Sequence, residues 1–223
     1  MAQAATPRRI DEFAKRYWTM KILSVSEDDR TCEDLLAQYR AGREKLVANK
    51  RKEAADCFCK VIEHENVLQS NCQEAKEAWF NSHLLLAWFY TVGIGGVGKN
   101  LDEAARLYRK AAENGCVKAQ HMLGHWYYSG FALDCDYTEA AAWYRKAAEQ
   151  GYPYAQERLA RCYVRGRGVE KNLEEAERWL KKAVANASEG ERDYFEARYD
   201  SFRRMVVEGN DAYLWYRGQC SRE

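Results

Sequence analysis

"AARLYRKAAENG" at 104–115, "AAAWYRKAAEQG" at 140–151 and "AERWLKKAVANA" at 176–187 start 36 residues apart each time. A constant period between 20 and 50 residues is the signature of an array in which one short structural unit stacks on the next. A second segment recurs at the same interval: "AQHMLGHWYYSG" from Ala119 and "AQERLARCYVRG" from Ala155, with "HLLLAWFYTVG" ending at Gly93 as a degenerate first copy. Each unit therefore reads as two helices. In the second helix the alanine pairs, Ala104 with Ala105 and Ala111 with Ala112, keep small residues on one face, where helices approach closely. Leu107 and Tyr108, Trp143 and Tyr144, and Trp179 and Leu180 are the residues expected to fill the space between neighbouring units.

The punctuation fits. Gly115 and Gly151 stand where each second helix must stop, and glycine takes the left-handed conformation of a helix C-terminus without a Cβ penalty. Ala187 replaces it in the third copy, which marks the end of the array. Gly130, Gly166 and Gly168 open the loop inside the unit, and Thr138 is the expected cap of the helix that follows. The first copy of this loop, "GIGGVGKN" at 93–100, imitates a phosphate-binding loop through Gly93, Gly98 and Lys99. The hydroxyl that would ligand magnesium is replaced by Asn100, and the preceding run is too long and too rich in Ala and Leu for a strand. In the later copy, "GVEKNLEEA" at 168–176, Glu170 takes the place of Gly98, where a carboxylate would repel phosphate. Nucleotide binding is disfavoured.

The residues Ala119, Leu123, Gly124, Tyr127 and Gly130, followed by Ala140, Trp143, Tyr144, Ala147, Ala148 and Gly151, resemble the pattern of the Sel-one-like repeats, relatives of the tetratricopeptide repeats. The resemblance covers 81–187 in three copies. It implies an all-α fold, a right-handed α/α superhelix built from helix-turn-helix units, and a function in scaffolding or adaptor work. Upstream, 39–80 is similar to a tetratricopeptide hairpin and its connection, with Gly42, Asn49 at the turn, Ala54 and Phe58 in matching places. Residues 8–38, with Ile10, Phe13, Tyr17 and Met20 at helical spacing, read as an N-terminal capping region. Residues 188–223, with Phe195, Tyr199, Phe202 and Val206, read as C-terminal capping helices, because a solenoid must cover its open ends. The expectation is one continuous domain over 1–223.

Composition agrees with that class: 47% hydrophobic residues and only two prolines in 223 residues suit a continuous helical chain. A net charge of +1 argues against a general nucleic-acid or anionic-membrane binder. No apolar stretch reaches membrane-spanning length, and no hydrophobic signal segment or acid-free presequence opens the chain, so the cytoplasm is the expected location. The eight cysteines do not follow the repeat period, and reduced thiols are expected at all of them.

Catalytic and metal chemistry find little purchase. His121 and His125 stand at i and i+4, a spacing that allows two imidazoles to share a zinc ion, but a third ligand is missing and no cofactor is expected. No serine lies in G-x-S-x-G or three residues before a lysine, so enzymatic activity is disfavoured. What remains is a surface. The first helix of each unit is expected to line the concave side, with Trp88, His121, His125 and Tyr128 facing the groove. In the third unit Glu157, Arg158, Arg161 and Arg165 run at i, i+1, i+4 and i+8 along one side. Charge at helical spacing is also what any solvated helix face shows. The functional reading is a clamp for a peptide segment of a partner protein, acidic in character, with arginine forks on carboxylates and flat aromatic platforms at Trp88 and Tyr128. The alternative is a permanent subunit of a larger assembly that uses its convex face or the aromatic cluster Tyr213, Leu214, Trp215 and Tyr216.

Overall fold

The computed structural model describes residues 27–208. The capping segment around Ile10, Phe13, Tyr17 and Met20 and the cluster Tyr213 to Tyr216 lie outside the described residues. All regular structure among the described residues is helical: α1 (Glu27–Val47), α2 (Arg51–Ile62), a 3₁₀ turn (Glu65–Gln69), α3 (Gln73–Val92), α4 (Leu101–Glu113), α5 (Val117–Ser129), α6 (Tyr137–Glu149), α7 (Pro153–Arg165), α8 (Leu173–Asn186) and α9 (Arg192–Glu208). Where the sequence suggests one continuous domain, the chain divides into two compact units, at Ser82 and His83.

The first unit is a helical hairpin followed by the start of α3. The helix α1 runs unbroken through 38 and 39, so the expected border between cap and hairpin falls inside one helix. Asn49 turns the chain with φ of 59°, a conformation its short amide side chain tolerates. Across the turn Phe58 and Val61 are fully buried, and Trp79 closes the core while donating its indole N–H to the Ile62 carbonyl at 3.3 Å.

The second unit is an array of helical hairpins. Its second helices all start the same way: Asn100, Asp136 and Asn172 cap α4, α6 and α8 by accepting hydrogen bonds from the amides of Glu103, of Thr138 and Glu139, and of Glu175, at 2.8 to 3.0 Å. Asp136, not Thr138, is therefore the cap of α6. The backbone N–H of each capping residue donates in turn to the carbonyl of Tyr90, Tyr127 or Tyr163 at 2.9 to 3.0 Å, which ties each loop to the helix before it. At the other end α4 and α6 close with paired bonds, Gly115 N–H to Ala112 O with Cys116 N–H to Ala111 O, and Gly151 N–H to Ala148 O with Tyr152 N–H to Ala147 O. Such closure requires a left-handed residue, and Gly115 and Gly151 supply it with φ of 93° and 85°. Ala187 is extended instead, with φ of −66° and ψ of 139°, and the period stops there.

Within the second unit, buried side chains bind the repeats together. Tyr144, Leu159, Leu180 and the alanines of α6 and α7 form one core, which Phe202 and Met205 of α9 complete. Phe195 is fully buried against Ala183 and Ala187. The apolar face of α9 thus runs through Phe195, Tyr199, Phe202 and Met205, while Val206, expected on that face, is 47% exposed. Cys32, Cys57, Cys59, Cys72, Cys116 and Cys162 are reduced thiols. Cys135 is disulfide-bonded, which corrects the expectation of a thiol at that position.

Candidate groove on the first helices of the repeats

The loop bonds fix the register between the first helices of the three units. Tyr90, Tyr127 and Tyr163 are equivalent, because each accepts the bond from the capping residue that follows it. The same alignment superimposes three buried sets: Leu86, Ala87 and Phe89; Leu123, Gly124 and Trp126; Leu159, Ala160 and Cys162. Four further positions on each helix then align in rows, Leu84, Leu85, Trp88 and Val92 on α3, His121, Met122, His125 and Ser129 on α5, and Glu157, Arg158, Arg161 and Arg165 on α7.

The α7 row is an ionic cluster. Arg158 Nε lies 3.5 Å from Glu157 Oε2, and the Glu157 side chain is 2% exposed. A buried carboxylate is tolerable only beside positive charge. Arg161 is itself buried: loss of water lowers its pKa, and the charge of Glu157 opposes that shift. Arg158 and Arg165 are the partly exposed members of the row.

The histidines lie between the rows rather than in water. His121 is packed by the rings of Tyr152 at 5.4 Å, Tyr144 at 5.9 Å and Tyr154 at 6.5 Å between centroids. Burial, reinforced by the charges of Arg158 and His125, pushes its pKa from 6.5 down to about 4. His125 is lowered by the same effects, burial first and then Arg158 and Arg161. His121 is therefore neutral near pH 7. Its Nε2, the Tyr144 hydroxyl and Glu157 Oε1 are buried and make no hydrogen bond among the described residues.

Two expected groove residues sit differently. Tyr128 is buried between Tyr137 and Tyr144, at 5.2 and 6.4 Å, and its hydroxyl accepts a 2.9 Å bond from Arg167 Nη1. It falls on the core side of α5, three residues beyond His125, and is removed from the platform. Glu157 and Arg161 are buried partners rather than a solvated stripe. Trp88 is 45% exposed. Leu84, Leu85 and Met122 were not singled out from sequence; the signal for them is the offset between the loop glycines Gly93, Gly130 and Gly166, each the first residue after its helix.

Metal and nucleotide chemistry gain no geometry. No group of three or more His, Cys, Asp or Glu side chains able to hold a metal occurs among the described residues. The loop from Gly93 to Asn100 joins helix to helix, and the Asn100 side chain is engaged as a cap. No described helix is long and apolar enough to cross a membrane.

Comparison with known proteins places the array. The family model of the Sel1 repeat matches residues 81–116, 117–152 and 153–188. A Sel1 repeat protein from Oxalobacter formigenes superimposes with a TM-score of 0.60 and 28% identity over 76% of this chain and 60% of its own. The antigen c5321, present in uropathogenic Escherichia coli strains and displaying an SLR fold, gives 0.57 and 24% over 85% of this chain and 42% of its own. The chain thus spans less than two thirds of either solved protein. No curated protein matches it at a significant level. With three repeats matched in sequence and the same helical pairs found in solved relatives, residues 81–188 belong to the Sel1-repeat family.

Proposed function

We propose that this protein is a non-enzymatic adaptor whose first-helix groove binds an acidic peptide segment of a partner protein. Sel1-repeat proteins are typically protein-interaction scaffolds. The observation that carries the reading is the α7 row, where Arg158 lies against the buried carboxylate of Glu157 and a further guanidinium, that of Arg165, follows two turns on at a partly exposed position. Guanidinium groups fixed in advance lose less rotamer freedom when a carboxylate arrives, which favours binding.

The outer helices make a poorer interface. Trp143 and Trp179, their largest apolar residues, are nearly buried and covered by the ammonium groups of Lys146 and Lys182, at 3.9 and 4.1 Å from the ring centroids. The larger assembly that would use the Tyr213 to Tyr216 cluster rests on residues outside those described. Six reduced thiols suit the cytoplasm, whereas the disulfide at Cys135 does not.

Panning a random peptide library against the wild-type chain and against R158E/R165E tests the reading. Sequences rich in Asp and Glu should be enriched on the wild type and lost on the variant. Enrichment that ignores acidity, or that survives the charge reversal, would show the groove proposal to be wrong.

A further inference from the structure

Cys135 stands in the loop between α5 and α6, exposed and disulfide-bonded, while Cys32, Cys57, Cys59, Cys72, Cys116 and Cys162 are thiols. The chain holds eight cysteines, which leaves Cys220 to bond Cys135 within it. Exchange into other pairings needs a thiolate, and burial raises the thiol pKa of Cys116 and Cys162.

The fold brings that loop within reach of the end of α9. The helices α8 and α9 run antiparallel: Phe195, near the start of α9, lies against Ala183 and Ala187, and further on Tyr199 donates its hydroxyl to Glu177 Oε1 at 2.8 Å. α9 therefore ends on the edge where α8 starts, the edge of the loops that precede α6 and α8. Those loops touch, since a Cβ at Gly168 would meet the Tyr137 carbonyl. Phe131, Leu173, Val206 and Val207 are exposed apolar side chains along the same edge. Packed helices lie roughly 10 Å apart, so two helix spacings put Cys135 roughly 20 Å from the end of α9. Cys220 follows Glu208 by twelve positions. An extended chain of that length covers about 40 Å, so the span is easily bridged.

We propose that Cys220 is the partner of Cys135 and that the bond draws residues 209–223 over the loop edge as a strap, with Tyr213, Leu214, Trp215 and Tyr216 covering Phe131, Leu173, Val206 and Val207. A dithiol opens the strap by exchange. Two electrons and two protons pass to the bond, leaving thiols at Cys135 and Cys220 and the dithiol as its own disulfide. The exposure of Cys135 gives the reductant access, and reduction uncovers an apolar edge.

Peptide mapping and limited proteolysis of the full chain, purified without reductant, test it. A complete tryptic digest should contain residues 119–145 joined to 218–222, two hydrogens lighter than the separate reduced peptides, and dithiothreitol should split the pair. On the folded chain, trypsin should cut after Arg217 at least fivefold faster once dithiothreitol is added. C220S should be cut at the fast rate with or without dithiothreitol, and C59S should behave as the wild type; circular dichroism checks that each variant is folded. Cys135 joined to any other cysteine, its counterpart in a second copy included, or alkylated as a thiol in protein held in glutathione disulfide, would overturn the pairing. An intact link with an unchanged cutting rate on reduction would overturn the strap.

Discussion

Gln150 donates its side-chain amide to Oε1 of Gln120 over 2.7 Å, and 36 residues on Asn186 donates to Oε1 of Gln156 over 3.2 Å. Each buried glutamine also donates from Nε2 to a carbonyl of the preceding helix, Gln120 to Ala112 at 3.0 Å and Gln156 to Ala148 at 2.9 Å. One residue thus joins three helices across the unit boundary. Replacing Gln120 by Met keeps the volume and leaves the Ala112 carbonyl its bond from Gly115 N–H but removes both side-chain bonds, which should cost about 0.5–1.5 kcal/mol for each in urea unfolding. A Q120M variant as stable as the wild type would show that those bonds are replaced by others.

Gly124 makes room for a ring. A Cβ at this position would lie 2.6 Å from Cδ1 of the fully buried Tyr144, so G124A should destabilise by about 1–3 kcal/mol through overpacking. The next repeat solves the same contact with Ala160 and Leu180, 36 residues on. The double variant G124A/Y144L should therefore recover much of the loss in thermal unfolding. If the two changes add as independent losses, the pairing is not the cause.

The caps at Asn100, Asp136 and Asn172 make a third test. Alanine at any one of them frees the first-turn amides of its helix and should cost about 1 kcal/mol. D136A should cost at least as much as N100A, because Asp136 accepts from two amides and its charge suits a helix N-terminus. T138A should cost less than either.

The folded-state pKa of His121 is depressed from 6.5 to about 4. Between those values the unfolded chain binds the proton and the folded chain does not, so stability is complete above pH 6.5 and falls as the pH drops toward 4. The upper bound on that fall is about 3 kcal/mol. The first repeat carries Leu84 at the same position, so H121L is a conservative removal of the group and should flatten the stability profile over this window. An unchanged profile would assign the acid sensitivity to other groups.

The array was legible from the sequence because its spacing is set by packing: alanines recur where helices touch, and glycine recurs where a second helix must reverse. The caps recur at one period too, as Asn100, Asp136 and Asn172, but in sequence the hydroxyl of Thr138 reads as the cap in place of Asp136. Depth was not legible. Helical spacing tells which face Glu157, Arg161 and Tyr128 share but not how far Tyr152, Tyr154 and the next helix cover that face. On α9 the apolar run steps by four, three and three residues, so extrapolating by four from Phe202 reached Val206 instead of Met205. The row through Leu84 and Leu85 was hidden because its helix matches the other two at an offset of 37 and 73 residues rather than 36 and 72.

The most direct test of the groove as the binding surface is site-specific photocrosslinking in native cells. A benzophenone side chain would be placed at Met122, in the middle row, or at Ala142, which is exposed on the outer helix α6. The groove account predicts that the Met122 probe captures a partner through an acidic segment, that R158E/R165E abolishes the capture, and that the Ala142 probe yields none of it. Capture of the same partner from Ala142, undiminished by the charge reversal, would contradict the account and move the interface to the convex face.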